Sequence, residues 1–176
     1  MSNRRFWTIT AMILSAALIR LLPHPWNFTP IGAMALFGGA TFRDRRAGFF
    51  IPLGALFLSD IVAGFHSLMW AVYGSFALMT LLGVWLGGRR RALPIAATTF
   101  AGSLLFFVIT NFAVWLVYPT YPKTAAGLLA CYVAAIPFFG NTLAGDAFYV
   151  ALLFGGFALL ERRVPTLREA GLPAGD

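Results

Sequence analysis

Residues 134–156 read AAIPFFGNTLAGDAFYVALLFGG, an almost continuous apolar run interrupted by Asn141 and Asp146. An ionised aspartate at the centre of a membrane helix costs about 2.5–3.5 kcal/mol on insertion scales, so its presence asks for a reason. The surroundings leave no doubt that the setting is apolar. The chain of 176 residues is 60% hydrophobic and 11% charged, with a mean hydropathy of +0.80, whereas soluble domains carry roughly 25% charged residues. These values describe an integral membrane protein of one domain.

Working outward from that run, six long apolar segments are expected as membrane helices, at about 6–22, 28–42, 47–65, 68–87, 92–118 and 141–160. A spanning helix needs roughly 20 apolar residues, and only the second segment falls clearly short. A further apolar stretch at about 125–139 ends near Pro137 and reads as a re-entrant or interfacial piece before the last helix. No ten-residue alternation of a membrane barrel is present, so the fold class is all-α. Residues 1–163 form one six-helix transmembrane domain, and 164–176 a polar, loosely ordered tail.

The basic residues set an expected orientation. Arg4 and Arg5, the 43–46 link, the 89–91 link and the tail together hold eleven of the thirteen basic residues, all on one side of a six-crossing chain. The other side receives only Arg20 and Lys123. The positive-inside rule then places both termini in the cytoplasm. The net charge of +7 is thus a topology signal, and nucleic acid is not an expected partner.

On this topology the polar side chains gather in the outer half: His24, Asn27, Asp60, His66, Asn111, Asn141 and Asp146, with Arg20. Polar groups at membrane depth face a cavity or one another, which suggests a ligand pocket open to the outside. Trp26, Cys131 and Tyr132 fall in the same region and complete the candidate ligand set. A structural reading stands beside it. Asp60 or Asp146 could pair with Arg20, the asparagines could join helices, and Asp146 could favour the start of its own helix through the dipole. Trp26, Trp70, Trp115, Tyr118 and Tyr121 also fit an interfacial aromatic belt. Small residues in GAMALFGGA (32–40) and GSFALMTLLGVWLGG (74–88) permit close helix approach, within the bundle or to a partner.

Enzyme signatures such as H-E-x-x-H, G-x-S-x-G, a phosphate-binding glycine-lysine loop or C-x-x-C do not occur. The single cysteine excludes an internal disulfide. Asn27-Phe28-Thr29 matches a glycosylation triplet, a pattern common by chance.

Three strings, RLLPHPWNFTPIGAMALFGGATF (20–42), FLSDIVAGFH (57–66) and ACYVAAIPFFGNTLAGDAFY (130–149), resemble a family of small bacterial membrane proteins assigned to transport. That family is in turn similar to solitary S components of energy-coupling factor (ECF) vitamin transporters. The resemblance implies an S-component-like six-helix bundle in the bacterial inner membrane, with its ligand site under the loops 24–30, 64–70 and 118–140. It also implies a vitamin as ligand, with cobalamin or another corrinoid first, and Cys131 as a possible sulfur ligand to its cobalt. Partners would be a coupling protein and ATPases, docked on the first helix, where Ala11 and Ser15 stand in place of an alanine pair. Two other functions fit the residues. One is a membrane enzyme acting on a lipid or bound ligand through Cys131 with His24 or His66. The other is a structural subunit of a larger membrane complex.

Overall fold

The computed structural model describes residues 3–87, 89 and 91–168; Arg90 and the tail beyond Arg168 lie outside them. The elements are α1 (Asn3–Ile19), α2 (Ile31–Thr41), α3 (Arg45–Ala63), α4 (Met69–Leu86), α5 (Ala92–Val117) and α6 (Ala125–Val150). Through a π-helical turn, Ala151–Gly155, α6 continues into α7 (Gly156–Arg163), and a 3₁₀ turn follows at Pro165–Leu167. Among the described residues there is no strand.

Four helices are long and apolar enough to cross a membrane: α3, α4, α5 and the continuous Ala125–Arg163 helix of 39 residues. At 17 residues, α1 lies at the lower limit for a span. The outer surfaces carry large apolar side chains such as Leu18, Phe50, Val62, Trp85 and Leu129. A water-soluble monomer rarely exposes so much apolar surface, whereas lipid accepts it. The protein is membrane-embedded.

The expected re-entrant piece at 125–139 is instead the first half of α6. Thr124 caps this helix by accepting a hydrogen bond from Gly127 N at 3.2 Å, and Pro137 lies inside it. An interior proline removes one backbone hydrogen bond and costs about 3 kcal/mol. Breaking the helix in lipid would strand several backbone groups at several kcal/mol each, so the chain keeps the helix.

At the centre of the bundle lies α2. Its 11 residues are all buried, and every other long helix packs on it. Phe37 is edge-on to Phe154 and Phe157, with ring centroids at 5.2 and 5.7 Å. The closest approach is to α4, and two glycines make it possible. A Cβ on Gly39 would strike the carbonyl oxygen of Thr80, and one on Gly83 would strike that of Leu36. The small-residue strings read from the sequence therefore serve packing inside the bundle.

One end of the bundle gathers the N-terminus, the α2–α3 link and α7. Phe6 packs on Phe42 at 5.4 Å, and the buried Arg5 pairs with Glu161, donates to the Leu167 carbonyl and stacks on Phe157 at 4.9 Å. Leu167 is itself buried, so the segment after Val164 begins as a folded clasp rather than a loose tail. At the other end, Ser67 Oγ and Tyr118 Oη lie 2.8 Å apart, tying the α3–α4 loop to the end of α5.

The glycine contacts yield a first test. Gly39→Ala or Gly83→Ala forces α2 and α4 apart against backbone atoms and should cost about 1–3 kcal/mol, the usual range for overpacking. A Cβ on Gly54 meets nothing within 4 Å, so Gly54→Ala should be neutral or slightly stabilising. Thermal unfolding in detergent distinguishes the two cases.

Candidate functional site

The packing register defines depth within the bundle. Met79 of α4 lies against both Gly32 of α2 and Gly102 of α5, and Asp146 of α6 also lies against Gly32. These four residues form one layer, level with the first turn of α2. Beyond it, α5 continues from Ser103 to Val117, about 22 Å at the helical rise, and α6 reaches back to Ala125. Past Ser103 this half of α5 buries only Ala113.

Arg20, at the end of α1, and Asp60, in the last turn of α3, form the strongest polar cluster in this region. Arg20 Nη1 donates to Asp60 Oδ1 at 2.6 Å and to Ser59 Oγ at 2.6 Å. Tyr73 Oη donates to Asp60 Oδ2 at 2.7 Å. Both carboxylate oxygens of Asp60 are thus occupied, and its side chain is only 4% exposed. The pairing of Asp60 with Arg20 is one of the two partnerships the sequence allowed.

Asp146 makes the other arrangement. It sits some six turns into α6 rather than near a helix start, because the helix begins at Ala125, and so it cannot support its own N-terminus. Its Oδ2 accepts from Ser103 Oγ at 2.6 Å, and its Oδ1 lies against Gly32 in the first turn of α2. The helix whose positive end it meets is α2, not α6.

The remaining candidates are spread over two neighbouring surfaces. On the α1–α2 loop, the His24 ring nitrogens approach the carbonyls of Pro25 and Arg20 at 3.0 and 3.1 Å. Asn27 adopts φ +62°, a left-handed conformation that asparagine tolerates better than most residues. The Trp26 carbonyl accepts from Asn141 Nδ2 at 3.0 Å, which pins the loop to α6, while the Trp26 side chain is left exposed. On the α5–α6 hairpin, Asn111 donates to Phe107 O at 2.8 Å and Tyr132 Oη donates to Val108 O at 2.8 Å. Cys131 is 2% exposed, its Sγ 3.5 Å from Asn111 O. It faces the α5–α6 contact, so it meets a ligand only if that contact opens. His66 stands apart in the α3–α4 loop, where Nδ1 accepts from Leu68 N at 3.3 Å. Among the described residues, no three His, Cys, Asp or Glu side chains gather where they could hold a metal.

Tyr73, Ser59 and Ser103 were not foreseen. Hydroxyl residues are frequent in helices and usually bond to their own helix, as Ser75 does to Ala71 O. Only the register between helices selects these three. At the opposite end of the molecule, a shallow recess of about 390 Å³ is lined by Asn3, Phe6, Arg43 and Asp44.

A family of unknown function, DUF6580, matches residues 1–167. The chain belongs to it. No curated protein and no solved structure matches.

The Arg20–Asp60 pair gives a second test. Arg20→Met leaves a nearly buried carboxylate with Tyr73 as its remaining partner and should cost about 3–5 kcal/mol. The double variant Arg20→Met with Asp60→Leu should recover most of that loss, since an apolar pair replaces the charges. A double-mutant cycle in detergent reads the difference directly.

Proposed function

We propose that the protein is an S-component-like uptake protein. It binds a vitamin-sized molecule at the end of the bundle formed by the α1–α2 loop and the α5–α6 hairpin. The supporting observation is a mismatch of lengths. At about 16 Å, α2 fills the centre of the bundle only up to the Gly32–Asp146 layer, and beyond it the wall of α4, α5 and α6 surrounds no central helix. Beyond that layer Tyr73, Phe106, Phe107, Thr110 and Asn111 are half-buried rather than enclosed.

In this reading the Gly32–Asp146 layer forms the floor, the Arg20–Asp60–Tyr73 cluster lies at the rim, and the loop bearing His24, Trp26 and Asn27 forms a cover held by Asn141. Trp26 supplies a ring for stacking, and Asn111, Tyr132 and the loop backbone supply hydrogen bonds. A mostly apolar site with a few placed polar groups would suit a vitamin better than a small ion. A corrinoid is the first ligand to try, with cobalt ligation by Cys131 requiring α5 and α6 to part. Ala11 and Ser15 lie on the exposed face of α1, where an ECF coupling protein and its ATPases would dock. The charge pattern favours the inner membrane, with both ends in the cytoplasm.

A second reading, a structural subunit, gains from the full engagement of Asp60 by Arg20 and Tyr73. It predicts a membrane protein partner in fixed ratio and no bound small molecule.

Mass spectrometry of molecules that copurify in mild detergent, followed by a thermal-shift panel of cobalamin, thiamine, riboflavin and biotin, tests the uptake reading. One vitamin should raise the Tm. Trp26 is 79% exposed, so Trp26→Ala should weaken that vitamin at least about tenfold, a loss of ~1.4 kcal/mol, with the ligand-free Tm unchanged. No copurifying molecule and no shift across the panel would refute it.

A further inference from the structure

Asp146 is 4% exposed and lies in a layer assembled from α2, α4, α5 and α6. Among the described residues no counter-charge faces it. Neither α2 nor α5 contains an ionisable residue. The ionisable group of α4 is Tyr73, which is spent on Asp60. On the α1–α2 side, Arg20 is held by Asp60 and His24 lies against backbone carbonyls. Within its own helix, Tyr149 packs on Phe28 and Phe148, Tyr132 bonds to Val108 O, Cys131 faces Asn111 O, and Glu161 pairs with Arg5 at the far end.

The hydroxyl of Ser103 is 2.6 Å from Asp146 Oδ2 and 3.0 Å from Thr99 O. It carries one hydrogen and so can donate to only one of them at a time. If Asp146 is a carboxylate, Ser103 donates to it and the Thr99 contact is unmade. If Asp146 carries a proton, its O–H donates to Ser103 Oγ, and Ser103 donates to Thr99 O. Both close contacts are then hydrogen bonds. The same three groups serve both protonation states without moving a backbone atom.

The helix around Asp146 is interrupted on both sides. Pro137 removes a backbone bond before it, and the π turn at Ala151–Gly155 follows it. Such π turns recur at functional positions. The segment 138–150 also carries Asn141, which holds the α1–α2 loop.

We propose that Asp146 is a proton-binding site in the membrane interior, its two protonation states served by the same Ser103 hydroxyl. The ligand is a proton, the acceptor atom is Asp146 Oδ2, and Ser103 is the positioning residue. This goes beyond the uptake reading and does not rest on it, because the test needs no vitamin.

Infrared difference spectra of the full chain in nanodiscs, recorded against pH, read the carbonyl stretch of a protonated carboxylic acid. The expected result is one band that vanishes as pH rises, is absent in Asp146→Asn and shifts in frequency in Ser103→Ala. No titrating band in the wild type, or a band surviving in Asp146→Asn, overturns the site. A band removed by sodium at constant pH also overturns it, in favour of a metal cation. Should Asp146→Asn fail to fold, an unchanged band in Ser103→Ala overturns it as well.

Discussion

The arrangement depends on burying a short helix on every side. With eleven residues and no lipid-facing surface, α2 requires its neighbours to approach closely, and α4 does so backbone to backbone at Gly39 and Gly83. Close approach through small residues is the main source of helix affinity in lipid, where no hydrophobic drive separates one apolar surface from another. Once α2 is enclosed, its first turn lies deep inside the bundle, with the positive end of its dipole and its unsatisfied N–H groups there. Asp146 faces that turn across the missing side chain of Gly32. The aspartate that interrupts an apolar helix and the helix that stops short inside the bundle each make the other less costly.

Much of the helical framework was legible from hydropathy. The segments expected at 47–65, 68–87 and 92–118 are α3, α4 and α5 to within two residues, because arginines, glycines and prolines bound uninterrupted apolar runs. The misread stretch was 125–160. Pro137, Gly140 and Asn141 lie close together and would end a helix in water, where freed backbone groups find solvent. In lipid no such substitute exists, so the helix absorbs the proline and relaxes further along as a π turn.

The site was legible in part. Asp60 and Arg20 attracted attention as charges in apolar surroundings, and they meet. Asp146 attracted the same attention, but its partner is a neutral serine that resembles every other hydroxyl in the chain. A charge betrays itself by its cost, whereas a serine costs little in a helix and shows its role only when the rotation of a neighbouring helix is known. The same limit applies to Cys131. Its residue type drew interest in a reactive thiol, while its position in the contact between α5 and α6 decides that it packs.

The clasp at the basic end bears on biogenesis. Arg5 and Glu161 are 156 positions apart, so α1 enters the bilayer long before the carboxylate that receives its guanidinium has been synthesised. Only with Glu161 and Leu167 in place are those partners there to receive the arginine inside the protein. One end of α1 can thus be tied to α3 through Arg20 and Asp60 well before a partner for its other end exists.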